Sequence, residues 1–310
     1  MCETKSSVDI IEVGPRDGFQ NLCNYLPAAR KIYYIEQLID TGVRHLQITS
    51  FVSPKAIPQM QDAATVAKTI VERHPGLDLF ALVPNFRGAQ NAHDAGLRKV
   101  NTVISLSRSH NMANVHKTHD QSFEELQKIV EQLSDIEVVL DVATAFGCPF
   151  EGKQRSAQAV VDFCGRAYDM GVRTFNLCDT VGQSDPAQVT AFTKAMKKAF
   201  PDARLELHIH DTRGMGIVCS FEGWKAGADG IQSTLGGLGG CPFAPGASGN
   251  TATEDLVFLF EEMGIHTGIS FDQILTLAKE EHREIPGNYS GANLLVKNTI
   301  HDLLPVPQNS

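Results

Sequence analysis

Two histidines separated by a single residue, His208 and His210 in "RLELHIHDTRG", are a pair whose type and spacing could do chemistry. Alternate residues of a strand share a face, so at the end of a barrel strand both imidazoles would look into the barrel mouth. An HxH taken alone is more often a pair of hydrogen-bonded barrel histidines than a metal site. Its surroundings change the reading. Asp17 follows the first short apolar run and Asn250 follows the last. In a closed barrel the eighth strand lies between the seventh and the first, so both side chains can approach the pair. Two imidazoles, a carboxylate and an amide oxygen, without thiolates, suit a divalent cation: Mg²⁺ or Mn²⁺ first, Zn²⁺ second. Two open positions would remain for a hydroxyl and a carbonyl oxygen of one substrate.

Three more side chains belong to the same constellation. Arg16 precedes Asp17 and offers a permanently charged planar fork for an oxyanion or carboxylate; its plainer alternative is a salt bridge at the barrel rim. Asp179 ends the run "TFNLCD", where it would serve as a general base or as the partner that orients a histidine. Cys241 lies in "GGLGGCPFAPGASGN", which holds six glycines and two prolines. Glycines permit close backbone approach and prolines limit the conformations available, so this loop can close as a defined lid carrying a thiol that exchanges a proton. Cys148, Cys164 and Cys219 read instead as small buried apolar residues.

Positioning these groups requires strands that end at one face. Eight short β-rich runs begin at Val8, Arg44, Leu77, Val100, Ile136, Thr174, Arg204 and Gly230. Segments of helical period separate them, as in "AARKIYYIEQLIDTG" and "SAQAVVDFCGRAYDMG", each ending at a glycine suited to a C-cap. The spacing of roughly 25 to 40 residues leaves room for one crossover helix each time. The pattern predicts a (β/α)8 TIM barrel, and the count of eight favours it over a doubly wound open sheet. The singular residues then fall where barrel chemistry collects, at the C-terminal ends of the strands. After Ile265 the pattern is helical only, so residues 266–310 are expected as C-terminal helices packed on the barrel. No linker or low-complexity stretch divides the chain, and residues 1–310 read as one domain.

The 310 residues are 42% hydrophobic with a net charge of −9 and no strongly basic segment, a composition that argues against a nucleic-acid partner. No apolar run reaches eighteen residues and the N-terminus lacks a signal-peptide pattern, so a cytoplasmic protein without a membrane partner is expected. Seven scattered cysteines without a CxxC pair exclude a disulfide framework and a zinc ribbon. Neither GxxxxGK(S/T) nor a GxGxxG after the first strand is present, which sets nucleotide hydrolysis and dinucleotide redox chemistry aside.

The segments "EVGPRDGFQN", "TSFVSPKAIPQM", "GCPFEGK", "HIHDTRG" and "GGLGGCPFAPGASGNTATEDLV", in this order across nearly the whole chain, resemble the 3-hydroxy-3-methylglutaryl-CoA lyase family of DRE-TIM metallolyases. The resemblance implies a divalent-metal TIM barrel that cleaves such an acyl-CoA to acetyl-CoA and a 3-keto acid, with a homodimer as the expected assembly. It places metal ligands on Asp17, His208, His210 and Asn250, and the active-site cysteine on Cys241. It aligns Arg16 with an arginine that contacts the substrate carbonyl, and Asp179 and Glu254 with acidic residues associated with the site. Two expected carboxylates are absent: Gln47 stands where an acid usually precedes "TSFVSP", and Leu22 follows "QN". Gln47 can hydrogen-bond Arg16 but cannot fix it by charge, so the site should be more positive than usual, and Arg213 adds to that bias. Arg16, Gln47, Arg213 and Glu254 are thus the substrate-contact candidates. The stretch "SLSRSHNMANVHKT" also differs from the family; Arg108 and His110 within it read first as part of a solvated loop. A lyase acting on another 3-hydroxy acid or thioester, and a non-catalytic metal- or CoA-binding barrel, are the alternatives.

Overall fold

The structure, a computed structural model, describes residues 6–240 and 249–296. Cys241 and the last residues of the expected C-terminal helices therefore lie outside the described residues.

All eight apolar runs form strands: β1 (Asp9–Glu12), β2 (His45–Ser50), β3 (Asp78–Leu82), β4 (Lys99–Ser105), β5 (Glu137–Ala143), β6 (Thr174–Asp179), β7 (Arg204–Ile209) and β8 (Gly230–Ser233). They pair in parallel around a closed ring, with β8 between β7 and β1. Asp9 to Glu12 run in register with Gly230 to Ser233, which closes the ring and removes the open-sheet alternative. Helices between the strands bury one stripe each. Ala28–Asp40, for example, turns Tyr34, Ile35, Leu38 and Ile39 to the core. Gly42 and Gly171, at φ +111° and +102°, turn the chain after their helices as the sequence pattern requires.

Three features depart from expectation. "GCPFEGK" forms a two-stranded antiparallel ribbon, Gly147–Cys148 with Gly152–Lys153, at the end of β5. The stretch after Ser105 is not a solvated loop. Ser107 caps a helix, Arg108–Val115, by accepting the His110 N–H, and the His110 imidazole is buried with Nδ1 2.8 Å from Ser105 Oγ. Past Ile265, Phe271–Glu284 is a helix as expected, but "SGANLL" gives only a 3-10 turn at Asn293–Leu295. No helix among the described residues is long and apolar enough to cross a membrane.

The barrel interior departs from the usual filling of branched apolar side chains. Following the register from strand to strand, Gln47 on β2, Asn101 on β4, Asn176 on β6 and Gln232 on β8 form one inward-facing layer, all four buried. Four carboxamides thus occupy a level where Val, Ile or Leu is the norm. His208 and Asp141 belong to the next layer up, towards the mouth. Below, Lys99 plugs the far end through Asp78 at 3.0 Å and Glu137 at 3.7 Å.

Candidate metal centre at the barrel mouth

The first turn after β1 is short because Asp17–Gln20 starts a helix at once, with the Asp17 N–H bonded to Val13 O at 2.7 Å. This aims the Asp17 carboxylate across the mouth towards the end of β7. One ligand atom each from Asp17, His208 and His210 lies within 4.8 Å of the others, and all three residues are buried. His208 Nε2 is 3.7 Å from Asp17 Oδ2 and 3.1 Å from His210 Nε2. Asn250 joins them as the chain returns alongside β7: it bridges to His210, and its Nδ2 donates to Asp17 Oδ2 at 2.9 Å and to Leu238 O at 3.2 Å. The four sequence candidates for ligands therefore meet, although they come from both ends of the chain.

The donor set fits a divalent ion. His208 Nδ1 is 3.2 Å from Gln232 Oε1, and this bond leaves Nε2 as a lone pair directed at His210. Neighbouring ligands of an octahedral ion at about 2.1 Å stand about 3.0 Å apart, close to the separation of the two Nε2 atoms. Asn250 Oδ1 and His210 Nδ1 are buried without a hydrogen-bond partner among the described residues. Burial, followed by the charge of His210, pushes His208 down to about 4, and burial lowers His210 as well, so both rings are neutral at pH 7 as ligands must be. Burial alone would raise the Asp17 carboxyl. The Arg16 guanidinium, with the Asn250 amide, outweighs it and holds the group ionised, below its ordinary range.

Arg16 is locked from two sides. Its Nη1 reaches Asp17 Oδ1 at 2.6 Å and its Nε donates to Gln47 Oε1. Nη2 has no protein acceptor among the described residues and is the donor left for a ligand. Gln47 thus holds Arg16 by a neutral bond, while its own Nε2 is buried and unpaired among the described residues. Leu22 is buried in the apolar core, where the missing carboxylate would have been costly.

Asp179, Arg213 and Glu254 take other places. Both Asp179 oxygens accept backbone N–H groups, from Gln183 at 2.9 Å and Ser184 at 3.0 Å, so the residue shapes the loop after β6 and orients no histidine. Arg213 is exposed and donates to the carbonyls of Val181 and Gly182. Glu254 is fully buried outside the ring, where its Oε2 accepts the Gly236 N–H at 2.9 Å. As a substrate contact Glu254 has no exposed atom; it supports the glycine loop from behind. Gly236 sits at φ +64° against the Tyr289 ring, and a side chain on Gly239 would collide with the Asn250 amide. Those two glycines explain part of the loop's composition: one permits the turn, the other makes room for a ligand residue.

Three residues at the site were not singled out from sequence. Gln232 accepts from His208 Nδ1 and donates through Nε2 to Glu206 Oε2 at 3.1 Å, an outer chain that fixes the imidazole as a metal ligand would require. Gln232→Leu is expected to weaken metal affinity about 10- to 100-fold; a calorimetric titration with Mn²⁺ checks it, and unchanged affinity would remove Gln232 from the site. Asp141 Oδ1 accepts from Asn101 and Asn176, both at 2.9 Å, and burial pushes the carboxyl up to about 6. Glu12 faces outward from β1 and ties Gly14 N, Leu235 N and Thr253 Oγ1 together. A polar residue inside an apolar strand, as in "EVVLDVA" or "GIQS", was the available signal for Asp141 and Gln232.

Residues 7–280 match the HMGL-like family. A hydroxymethylglutaryl-CoA lyase of Bacillus subtilis is 39% identical over 274 residues, 88% of this chain and 91% of that protein. An (R)-citramalyl-CoA lyase of Chloroflexus aurantiacus is also 39% identical, over 280 residues covering 87% and 88%. Among solved structures, an HMG-CoA lyase from Acinetobacter baumannii in complex with coenzyme A and 3-methylmalate superposes with a TM-score of 0.91 at 38% identity, over 99% of this chain and 100% of that one.

Proposed function

The chain belongs to the HMGL-like family, and on that premise we propose that it cleaves 3-hydroxy-3-methylglutaryl-CoA, or a related branched 3-hydroxyacyl-CoA, to acetyl-CoA and a 3-keto acid. The observation that carries this reading is the buried cluster of Asp17, His208 and His210 with Arg16 bonded beside it. We propose Mg²⁺ or Mn²⁺ as the ion, with Zn²⁺ second, held by those three residues and Asn250. When bound, such an ion supplies Lewis acidity to the hydroxyl and carbonyl oxygens of the substrate.

The protein's own groups do the rest. Asp17, kept ionised by Arg16, accepts the proton of the tertiary hydroxyl. As the bond between the second and third carbons breaks, its electron pair moves onto the thioester carbonyl and forms an enolate, whose oxygen receives the free Arg16 Nη2 donor. Cys241 returns a proton to the enolate carbon, completing acetyl-CoA; the other candidate donor, His208, is neutral with Nδ1 bonded to Gln232 and Nε2 bare, so it serves as a ligand instead. Gln47 and Gln232 hold Arg16 and His208 from below, so that neither must reorganise. Asp179 enters this scheme as a support of the neighbouring loop, Arg213 as a rim cation and Glu254 as a support of the glycine loop. The ring closure between β1 and β8 favours treating residues 1–310 as one catalytic domain. A homodimer completes the proposal on the strength of the resemblance, and a cytoplasmic location is supported by the bacterial lyase relative.

Retention of the whole ligand set argues against a non-catalytic barrel. The deciding test is acetyl-CoA release from several 3-hydroxyacyl-CoA thioesters after chelation and after readdition of Mg²⁺ or Mn²⁺. Activity should vanish with the chelator and return with the ion; full activity in stripped protein would defeat the scheme.

A further inference from the structure

The mechanism leaves one inward-facing acid without a role. Asp141 shares its layer with His208, two strands away around the mouth. Its Oδ1 is fixed by the amides of Asn101 and Asn176, and no donor among the described residues bonds Oδ2. No cation among the described residues is ion-paired with it, whereas Asp17 near the same level is held by Arg16. The Cys178 thiol, which faces inward beside His208, lies within electrostatic reach of Asp141, Arg16 and Asp17 together, so Asp141 fronts the same space as the metal cluster. Immediately beneath, Asn101 Oδ1, Asn176 Oδ1 and Gln47 Nε2 are buried without partners among the described residues. This wall of the mouth is therefore polar, with hydrogen-bonding capacity to spare. An apolar group seated there would leave an acceptor stranded, at a cost that discriminates strongly between ligands.

We propose that Asp141 is a specificity-determining contact for the acyl group, selecting a 3-hydroxyacyl thioester whose third carbon carries a hydrogen-bond donor such as hydroxymethyl over one that carries methyl. The proposal rests on the lyase reading above and names the substrate class of that same site. Asp141 Oδ2 accepts the hydroxyl of the substituent, while Asn101 and Asn176 keep the carboxyl turned to it.

The test compares 3-hydroxy-3-methylglutaryl-CoA with its 3-hydroxymethyl analogue by acetyl-CoA release, in the wild-type protein and in Asp141→Leu and Asp141→Asn. The wild type should favour the hydroxymethyl thioester by about 10-fold or more in kcat/KM, and Asp141→Leu should shift that ratio towards methyl by at least as much. Asp141→Asn should shift it in the same direction, and supplies the ratio if the leucine variant does not fold. A wild-type preference for methyl, or variants that slow both thioesters equally, would overturn the proposal. Should the wild type cleave neither, the lyase reading fails separately, and the Kd ratio of the two intact thioesters by calorimetry decides: tighter binding of the hydroxymethyl form upholds the contact, equal binding ends it.

Discussion

His210→Ala is expected to lower kcat/KM by about 10³ or more and to abolish the rise in melting temperature expected of the wild-type protein with Mn²⁺. The lost Lewis-acid stabilisation is worth several kcal/mol, and each 1.36 kcal/mol is tenfold in rate. His210 does not act alone: its Nε2 stands 3.1 Å from His208 Nε2, and its neighbour Asn250 reaches back to Asp17, so removing it opens the cluster at its centre. Steady-state acetyl-CoA release together with a calorimetric metal titration checks the prediction. Loss of activity with unchanged metal affinity would reassign His210 to proton transfer. Asp179→Asn is the informative contrast. Its two backbone bonds serve the loop after β6, so it should reduce thermal stability while leaving Mn²⁺ affinity within a few-fold of the wild type.

The second large effect concerns stability against pH. Glu12, Glu254 and Glu281 are buried carboxyls packed where β1, the helix Thr253–Glu262 and the helix Phe271–Glu284 meet. Burial pushes Glu12 up to about 7 and Glu254 up to about 8, with Asp255 adding to the second, and it raises Glu281 well above the usual range. An acid with a raised folded-state pKa makes the folded chain bind more protons than the unfolded one. Its contribution is complete below the unfolded value near 4.5 and is lost as pH rises through 7 to 8. The melting temperature should therefore fall between pH 5.5 and 8.5, by an amount corresponding to a few kcal/mol. In Glu12→Gln and Glu254→Gln, which keep shape but cannot ionise, that slope should flatten. Glu12→Leu should be worse at every pH, by about 4 kcal/mol, because it strands the N–H groups of Gly14 and Leu235 and the Thr253 hydroxyl. Thermal melts across pH decide both points; parallel wild-type and Glu12→Gln curves would show that the carboxyl is ionised throughout.

Much of this architecture was legible in the chain. Eight apolar runs with helical spacers specify eight strands, and the HxH repeat at the end of the seventh marks the mouth because strand parity is a local property. What local pattern does not carry is the shear of the ring. Gln47, Asn101, Asn176 and Gln232 are separated by 54, 75 and 56 positions and become one layer only when the register between all neighbouring strands is set. The role of Gln232 behind His208 was hidden for that reason. Glu254 misled in the opposite way. The family resemblance associates it with the site, but the helix Thr253–Glu262 turns it outward, onto the back of the glycine loop. The segment around His110 reads as polar and loop-like because its helix is held by caps and by a buried Ser105–His110 bond rather than by an apolar stripe.

The seam between β1 and β8 joins the beginning of the polypeptide to its end, and Asp17 and Asn250 face each other across it. A ribosome-bound chain that has emerged only through its first six βα units holds Asp17 but neither imidazole, and cannot assemble the cluster. Assembly of the cluster therefore waits until Asn250 has been made, and its bond to Asp17 then ties the segment after the last strand to the segment after the first, across the closure of the ring.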